Sequence, residues 1–599
     1  MSTARIPPFI VLSDPGALLA DSGARLTDPG APLSEPGAPP AGPDPTVSLT
    51  ELQRAQLRSA ATYHALVHPG AELELLVSSG ELEQMPVLTG PAAEQDRGEP
   101  VLAELRIRST ALGTSRPAGD SRSDGPSGSK PPYDGESPAE REALRRWVRL
   151  GHPEATPATT RSRAGQSLPR RVYGLLERRT PVLVDAIRET VMSRRARQSG
   201  RRMRRVTGDE GAPAPALAAP AEPPRDAPPA ILFGLHWLQP SGAERWAVES
   251  IRIAKEQGFL PVIVTDHDSV HPWLTRPEVA GAVVITMTEQ APSDAPDTAI
   301  LRAVLENYRL RGVMIHHSTW LYRVSPLLRE WRPELPVVDS LHTVEYLRGG
   351  YPGFATRFDA FIDTHHTISP ELSRWLAEVQ GVDPAKLVMA PLTELTVDEE
   401  REFRERAPGE PFTLAFVGRL SRDKRPDAFI GLVRHLVRRG VPVRAILHGD
   451  GELAELVEGM LSKYRLRGAA GGAARGAAGT VERRLEDRPV ADTLAESHLL
   501  VTTSMLEGLP LTTFEAVSAG VPVLSVDLGS QRTIVQDELL LPRPIRRFVR
   551  AAEERVAALA ASEPARRAAW EEQRARLTAL KRERTAHRFT KELFEQWQG

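Results

Sequence analysis

The sequence predicts an α/β protein: two parallel-sheet domains behind a long N-terminal extension that is largely disordered or helical. Three observations carry this. Residues 498–529 hold a short apolar strand (Leu499-Leu500-Val501-Thr502), a Gly/Pro turn through Glu507, Gly508 and Pro510, a helix closed by Gly520, and a second apolar strand over 521–526. That succession is the pattern of a parallel α/β unit. A second such unit occupies 230–265, where an apolar strand, a polar turn, a helix ending at Gly258 and another strand follow in order. The chain has 599 residues, enough for several domains, because single cores seldom grow beyond about 250–300 residues.

Bulk properties narrow the class. A net charge of −2 with 26% charged residues gives no global drive towards nucleic acid or membrane. Cysteine is absent, which removes disulfides and thiolate metal sites and fits a reducing compartment. No apolar run approaches the roughly 20 residues of a membrane span, and the first dozen residues, broken by Pro7 and Pro8, are too short an apolar stretch for a secretion signal. A soluble cytoplasmic protein is expected.

The extension divides into three parts. Residues 1–138 are mostly low-complexity: a degenerate repeat over 13–45 (Asp14-Pro15-Gly16-Ala17, Asp28-Pro29-Gly30-Ala31, Glu35-Pro36-Gly37-Ala38) carries too much Pro and Gly for a coiled coil. Within that part, 48–107 is patterned well enough for a small folded unit, with a helix from about 49 to 67 and strand-like runs at 72–77 and 101–107. Residues 139–205 have helical periodicity over 142–150 and 172–192 and end in seven arginines between Arg194 and Arg205. A basic amphipathic helix of this kind either lies on an anionic membrane surface or packs on the folded body with its arginines solvated. The Ala/Pro-rich 206–229 is a linker.

In the first α/β domain, 230–405, strands are expected at 230–235, 261–265, 282–286, 312–316 and 337–341. Their carboxyl ends carry polar clusters, and ligands of such sheets bind there. His317 and His342 are candidates on that ground. The adjacent pairs His316/His317 and His365/His366 diverge on a strand and suit no metal; Asp266-His267-Asp268 is the nearest thing to a metal motif, and no metal is expected. In the second domain, 411–545, strand 412–417 runs into Gly418-Arg419-Leu420-Ser421-Arg422-Asp423-Lys424. Pro510 leaves the first amides of the following helix, at Leu511, Thr512 and Thr513, free to hold an anion. Glu507 lies in the turn before that helix and Glu515 about one turn inside it.

Two glutamates at this E-x7-E spacing, with the Gly418-Arg419-Leu420…Lys424 segment, resemble the retaining, nucleotide-sugar-dependent glycosyltransferases of family-4 type (glycosyl transferases group 1). The resemblance runs over 230–598 and implies the GT-B fold: two facing Rossmann-like domains, with helices 546–599 packing back across a hinge at 394–411. It implies that Gly418, Arg419, Lys424, Glu507, Leu511, Thr512, Glu515 and Gly529 bind the donor, that Arg419 and Lys424 take the diphosphate, and that Glu515 holds the ribose. His342, Glu507, Arg419 and Lys424 are the implied catalytic set. Gly242, in the turn after the first strand, would let backbone approach a phosphate or the acceptor, beside His317. The implied partners are a nucleotide sugar as substrate, with no cofactor, and a glycan, lipid-linked or small-molecule acceptor. One departure stands out. Where the family carries Gly-Gly-x-x-Glu against the sugar, this chain reads Gly529-Ser530-Gln531-Arg532-Thr533, which leaves the sugar open. An epimerase or phosphorylase of the same fold, or a sugar-binding scaffold, are the rival readings.

Overall fold

The computed structural model describes residues 10–11, 49–67, 72–79, 88–91, 101–108, 144–150, 219–240, 242–287, 298–343, 350–395, 400–467, 479–485, 487–505, 507–508 and 511–599. The expected basic helix at 172–192 and its arginine tail lie outside these residues. So does the whole of the 13–45 repeat.

The extension contributes a five-stranded mixed sheet. It consists of β1 (Ile10–Val11), β2 (Glu72–Ser79), β3 (Leu88–Pro91), β4 (Val101–Arg108) and β5 (Leu144–Leu150), in the order β1-β4-β2-β5-β3. Helix α1 (Glu51–Val67) precedes β2. Its start is a reciprocal cap: Gln53 N donates to Thr50 Oγ1 (3.2 Å) and Thr50 N to Gln53 Oε1 (3.1 Å). The folded unit expected within 48–107 therefore takes in chain on both sides of that range. The helix expected over 142–150 is strand β5 instead. It pairs in parallel with β2 along its whole length, and Val148 and Leu150 alternate into the core. Period-two burial between two partner strands outweighs the helical spacing.

The second sheet is all parallel. Its strands are β6 (Pro229–Leu235), β7 (Leu260–Thr265), β8 (Val283–Thr286), β9 (Arg309–His316), β10 (Val337–Leu341), β11 (Thr364–Thr367) and β12 (Leu387–Met389). They lie in the order β12-β11-β10-β9-β6-β7-β8, covered by α2 (Gly242–Glu256), α3 (Thr298–Asn307), α4 (Thr319–Trp331), α5 (Gly350–Arg357) and α6 (Pro370–Arg374). Strands β11 and β12 lie beyond the strands expected from the sequence; the three half-buried residues of β12 give too short a run to read. α1 joins the two sheets, packing on both β5 and edge strand β8, with Gln56 Nε2 donating to Val270 O at 2.7 Å.

The third sheet is also parallel: β13 (Phe412–Val417), β14 (Val443–His448), β15 (Val481–Arg484), β16 (Leu499–Thr502), β17 (Val523–Val526) and β18 (Leu540–Leu541), ordered β15-β14-β13-β16-β17-β18. Its helices are α7 (Pro426–Arg438), α8 (Ala454–Lys463), α9 (Val490–Ala495), α10 (Leu511–Ser518), α11 (Ile545–Ala561) and α12 (Glu563–Lys581), and a last helix, α13 (Ala586–Gln598), follows. Apart from edge strand β15, these strands are largely apolar runs because helices cover both faces. In both parallel sheets the order reverses beside the first strand, between β6 and β9 and between β13 and β16. Such switch points open a crevice at the carboxyl ends.

Two connections tie the halves together. Segment 400–404 runs along the end of α10, with Arg401 N donating to Ser518 O (2.7 Å) and Arg404 N to Gly520 O (3.1 Å). Helix α13 then crosses back to the second sheet. Phe594 packs edge-on against Phe233 and Phe259, and Trp597 lies so flat on Gly312 that a Cβ there would fall 2.3 Å from its ring.

Candidate active site

The third sheet supplies one wall of the crevice. Past β13 the chain turns at Gly418 and meets the loop after β14 so closely that a Cβ on Gly449 would lie 2.2 Å from Gly418 O. The next loop is nailed down by Arg425, which is 1% exposed. Its guanidinium donates to the carbonyls of Thr503 (2.6 Å), Arg543 (3.2 Å) and Ser504 (3.3 Å). Thr503 Oγ1 donates in return to Lys424 O at 2.7 Å. These bonds hold the loops after β13 and β16 against each other, and so bring Lys424 to Glu507. Lys424 Nζ bonds Glu507 Oε1 directly, and Ser504 Oγ donates to the same oxygen at 2.7 Å. Gly529 backs this turn: its φ is +56°, and a Cβ there would sit 2.1 Å from Glu507 O. Helix α10 opens at Leu511 and Thr512. One turn in, Glu515 meets Arg245 Nη1 of α2 at 3.7 Å, across the crevice. Burial pushes the Glu515 carboxyl up, and Arg245 opposes this.

The second sheet supplies the other wall, which is built of imidazoles. His236 follows β6 and approaches Glu244 at 2.8 Å. Gly242 opens α2 with open space where a side chain would be. His317, after β9, has φ +60°, an uncommon backbone conformation for a residue with a side chain. Its ring stacks on Tyr351 at 4.4 Å and lies 4.9 Å from His342. Burial lowers His316 to about 3, and drops His317 and His342 well below 6.5, so these three rings are neutral at ordinary pH. Asp266 faces elsewhere: it caps α4, accepting from Trp320 N (2.6 Å) and Ser318 Oγ (3.1 Å). Polar atoms of this wall buried without a hydrogen-bond partner among the described residues include His236 Nδ1, both nitrogens of His316, His317 Nε2, His342 Nδ1 and Thr343 Oγ1.

The walls meet at a seam. Thr343 and Gly508 form a β-bridge, and a Cβ on Gly508 would be 1.6 Å from His342 O. Ser369 bonds Ser530 and Thr533 Oγ1 bonds Glu371. The position where the resemblance leads one to expect a glutamate thus receives a carboxylate from α6 of the opposite domain.

The structure therefore gathers Lys424, Glu507, Gly529, Glu515, His317 and His342 around one crevice, with Gly418, Leu511, Thr512 and Gly242 on its rim. Arg419 stands apart. It is exposed over the loop after β14, its Cγ 3.0 Å from where a Cβ on Gly451 would lie, and it bonds none of the others. Sequence reading missed Arg245, Ser340 and Glu371. Only Ser340 left a signal, since Ser340 and His342 are two apart at a strand end and so share a face.

Residues 397–574 match the family model described as "Glycosyl transferases group 1". A curated relative, D-inositol 3-phosphate glycosyltransferase of Nocardia farcinica, is 27% identical over 249 residues, covering 37% of this chain and 53% of the relative. The chain thus spans about half the length of that relative. Among solved structures, Anabaena Alr3699/HepE in complex with UDP-glucose superposes with a TM-score of 0.45 at 14% identity, over 61% of this chain and 98% of that one. The pneumococcal O-GlcNAc transferase GtfA in complex with UDP and GlcNAc gives 0.36 at 17% identity, over 48% and 55%. Residues 397–574, set in the second of two facing Rossmann-like domains, are thus similar to the glycosyl transferases group 1 family, and the two parallel sheets have the GT-B arrangement.

Proposed function

We propose that the chain is a glycosyltransferase that moves a sugar from a nucleotide-sugar donor to a glycan, lipid-linked or small-molecule acceptor, with retention at the anomeric carbon and without a metal ion. One observation carries the reading: the Lys424–Glu507 pair lies at the switch point of the third sheet, one backbone contact from His342 of the other domain. A donor diphosphate would compete for Lys424 and release Glu507 to accept sugar hydroxyls. Lys424, Arg419 swinging inward, and the amides of Leu511, Thr512 and Thr513 would stabilise the departing diphosphate. Glu515 would accept the ribose hydroxyls, and His342 would orient the sugar as positive charge develops. The acceptor hydroxyl would attack C1 on the face the phosphate leaves. Its oxygen bonds C1 as the C1–O(phosphate) bond breaks, and its proton passes to the released phosphate oxygen.

The test is a nucleotide-release assay across UDP- and GDP-sugars, with D-inositol 3-phosphate, from the name of the Nocardia relative, in the acceptor panel. Glu507→Gln is expected to lower kcat by about a hundredfold or more, with turnover persisting in EDTA and the product anomer matching the donor. Unchanged turnover in Glu507→Gln would sink the site assignment. An epimerised donor, formed without acceptor, would move the reaction to another class. A cytoplasmic location with anionic-membrane contact through 139–205 belongs to the same reading, and co-sedimentation with phosphatidylserine vesicles tests the contact.

A further inference from the structure

The state of His342 follows from a chain of hydrogen bonds behind it. His366 Nε2 lies 2.8 Å from Ala390 O. A carbonyl has no proton to give, so Nε2 carries the hydrogen and Nδ1 of the neutral ring is bare. Burial lowers His366 to about 4, which keeps it neutral at ordinary pH. Ser340 Oγ lies 2.9 Å from that Nδ1, so the hydroxyl proton must point there. Ser340 has one proton, and every other bond at its oxygen is therefore accepted. Trp246 Nε1 donates to it at 3.1 Å. His342 Nε2, at 2.9 Å, must donate as well and so carries the ring's hydrogen. What remains of His342 is Nδ1, a lone pair with no partner on a residue 5% exposed. It lies at the seam where the two domains touch.

We infer that Ser340, His366 and the Ala390 carbonyl are positioning groups that lock His342 in its Nε2–H tautomer, so that Nδ1 accepts a hydrogen bond from a hydroxyl of the bound sugar. This rests on the reading of the crevice as a sugar site. The sense of the bond is a commitment. A locked acceptor recognises O–H donors and rejects groups that can only accept, so a sugar carrying fluorine in place of the contacted hydroxyl is excluded as well as a deoxy sugar. Trp246 stiffens the arrangement without choosing the tautomer, because Ser340 would still face His366 if the indole bond were lost.

Nitrogen spectra of the full chain, labelled with ¹⁵N-histidine and assigned against His342→Gln, read the tautomer with no donor present. Wild type and Trp246→Phe are expected to show an unprotonated Nδ1 and a protonated Nε2 at His342. Ser340→Ala should show exchange between tautomers in a protein that still folds, its thermal midpoint lowered because three buried groups lose their partner. In nucleotide release, Ser340→Ala should lose about tenfold in kcat with KM little changed, and Trp246→Phe should lose less. A protonated Nδ1 in wild type, or an unchanged tautomer in Ser340→Ala, overturns the relay whatever the activity. A correct tautomer in a protein that turns over no nucleotide sugar leaves the relay standing and defeats the functional reading instead.

Discussion

At the scale of single residues the crevice is a set of charges satisfied by one another. Arg245 and Glu515 meet at 3.7 Å with the arginine side chain 53% exposed, so water screens their attraction and the pair is worth roughly 0.2–1 kcal/mol. If Glu515 takes the ribose, nucleotide must first part this pair. Arg245→Ala is therefore expected to tighten nucleotide binding, by up to about fivefold for a pair of that strength. Glu515→Gln should weaken binding by about tenfold, since hydrogen bonds to charged groups are the stronger ones. Titration calorimetry with nucleotides separates the two; weaker binding in Arg245→Ala would mean that the arginine holds the ligand itself. Glu507, Glu515 and Lys424 were legible in the sequence because the turn and helix that carry them are local. Arg245 was not. Its meaning depends on a partner 270 residues away, and no spacing rule encodes a contact across two domains. The imidazole wall is a similar case: His236, His317 and His342 end three different strands, and only the parallel order of the sheet makes them neighbours.

Among the elements, what matters is how closely two loops approach. A Cβ on Gly508 would stand 1.6 Å from the backbone oxygen of His342, an atom that cannot rotate away as a side chain can. Gly508→Ala must prise the seam apart. It is expected to lose about a hundredfold in turnover, the usual consequence of misplacing reacting groups by an ångström. The buried apolar cluster that runs through both domains does not include Gly508 or Thr343, so the thermal midpoint should fall by only a few degrees. Full turnover in Gly508→Ala would show that the reaction proceeds with the seam open. Sequence patterning did well on elements that bury one face within a single sheet, such as β13 and α10. It failed at β5, where seven residues rich in arginine fit a helix on paper and become a strand because β2 and β3 flank them. It failed again at β12, where three half-buried residues gain their identity from the register with His365, His366 and Thr367. In both cases the partner decides the conformation, and the partner is not visible in the run itself.

For the molecule as a whole, the buried histidines set a pH limit. Burial lowers His271 and His316 to about 3 and His366 and His498 to about 4, and holds His317 and His342 well below 6.5. Unfolded, each would take a proton near 6.5. Below that pH the unfolded chain binds more protons than the folded one, so stability falls with pH, by up to about 1.4 kcal/mol per pH unit for each such ring. The loss begins above the range where carboxylates titrate and continues down towards the folded values. Two rings work in the opposite sense, His267, raised by its bond to Asp266, and His365. Burial alone would lower His365, but Asp339 and Asp359 bond its two nitrogens at 3.1 Å each and raise it; its contribution is complete in acid and fades as pH rises through the folded value. With His448 also lowered, chiefly by burial, seven rings against two among the described residues leave the first trend in charge. Denaturation midpoints are therefore expected to drop steadily between pH 7 and 5. His316 is the ring to remove: neither of its nitrogens has a partner and it stacks on Phe233 at 6.2 Å, so His316→Leu keeps an apolar contact and deletes one proton-binding site. Stability of that variant relative to wild type should improve on going from pH 7 to 5. A constant difference across that interval would mean that His316 takes up protons equally in both states, and acid sensitivity would then have to come from elsewhere in the fold.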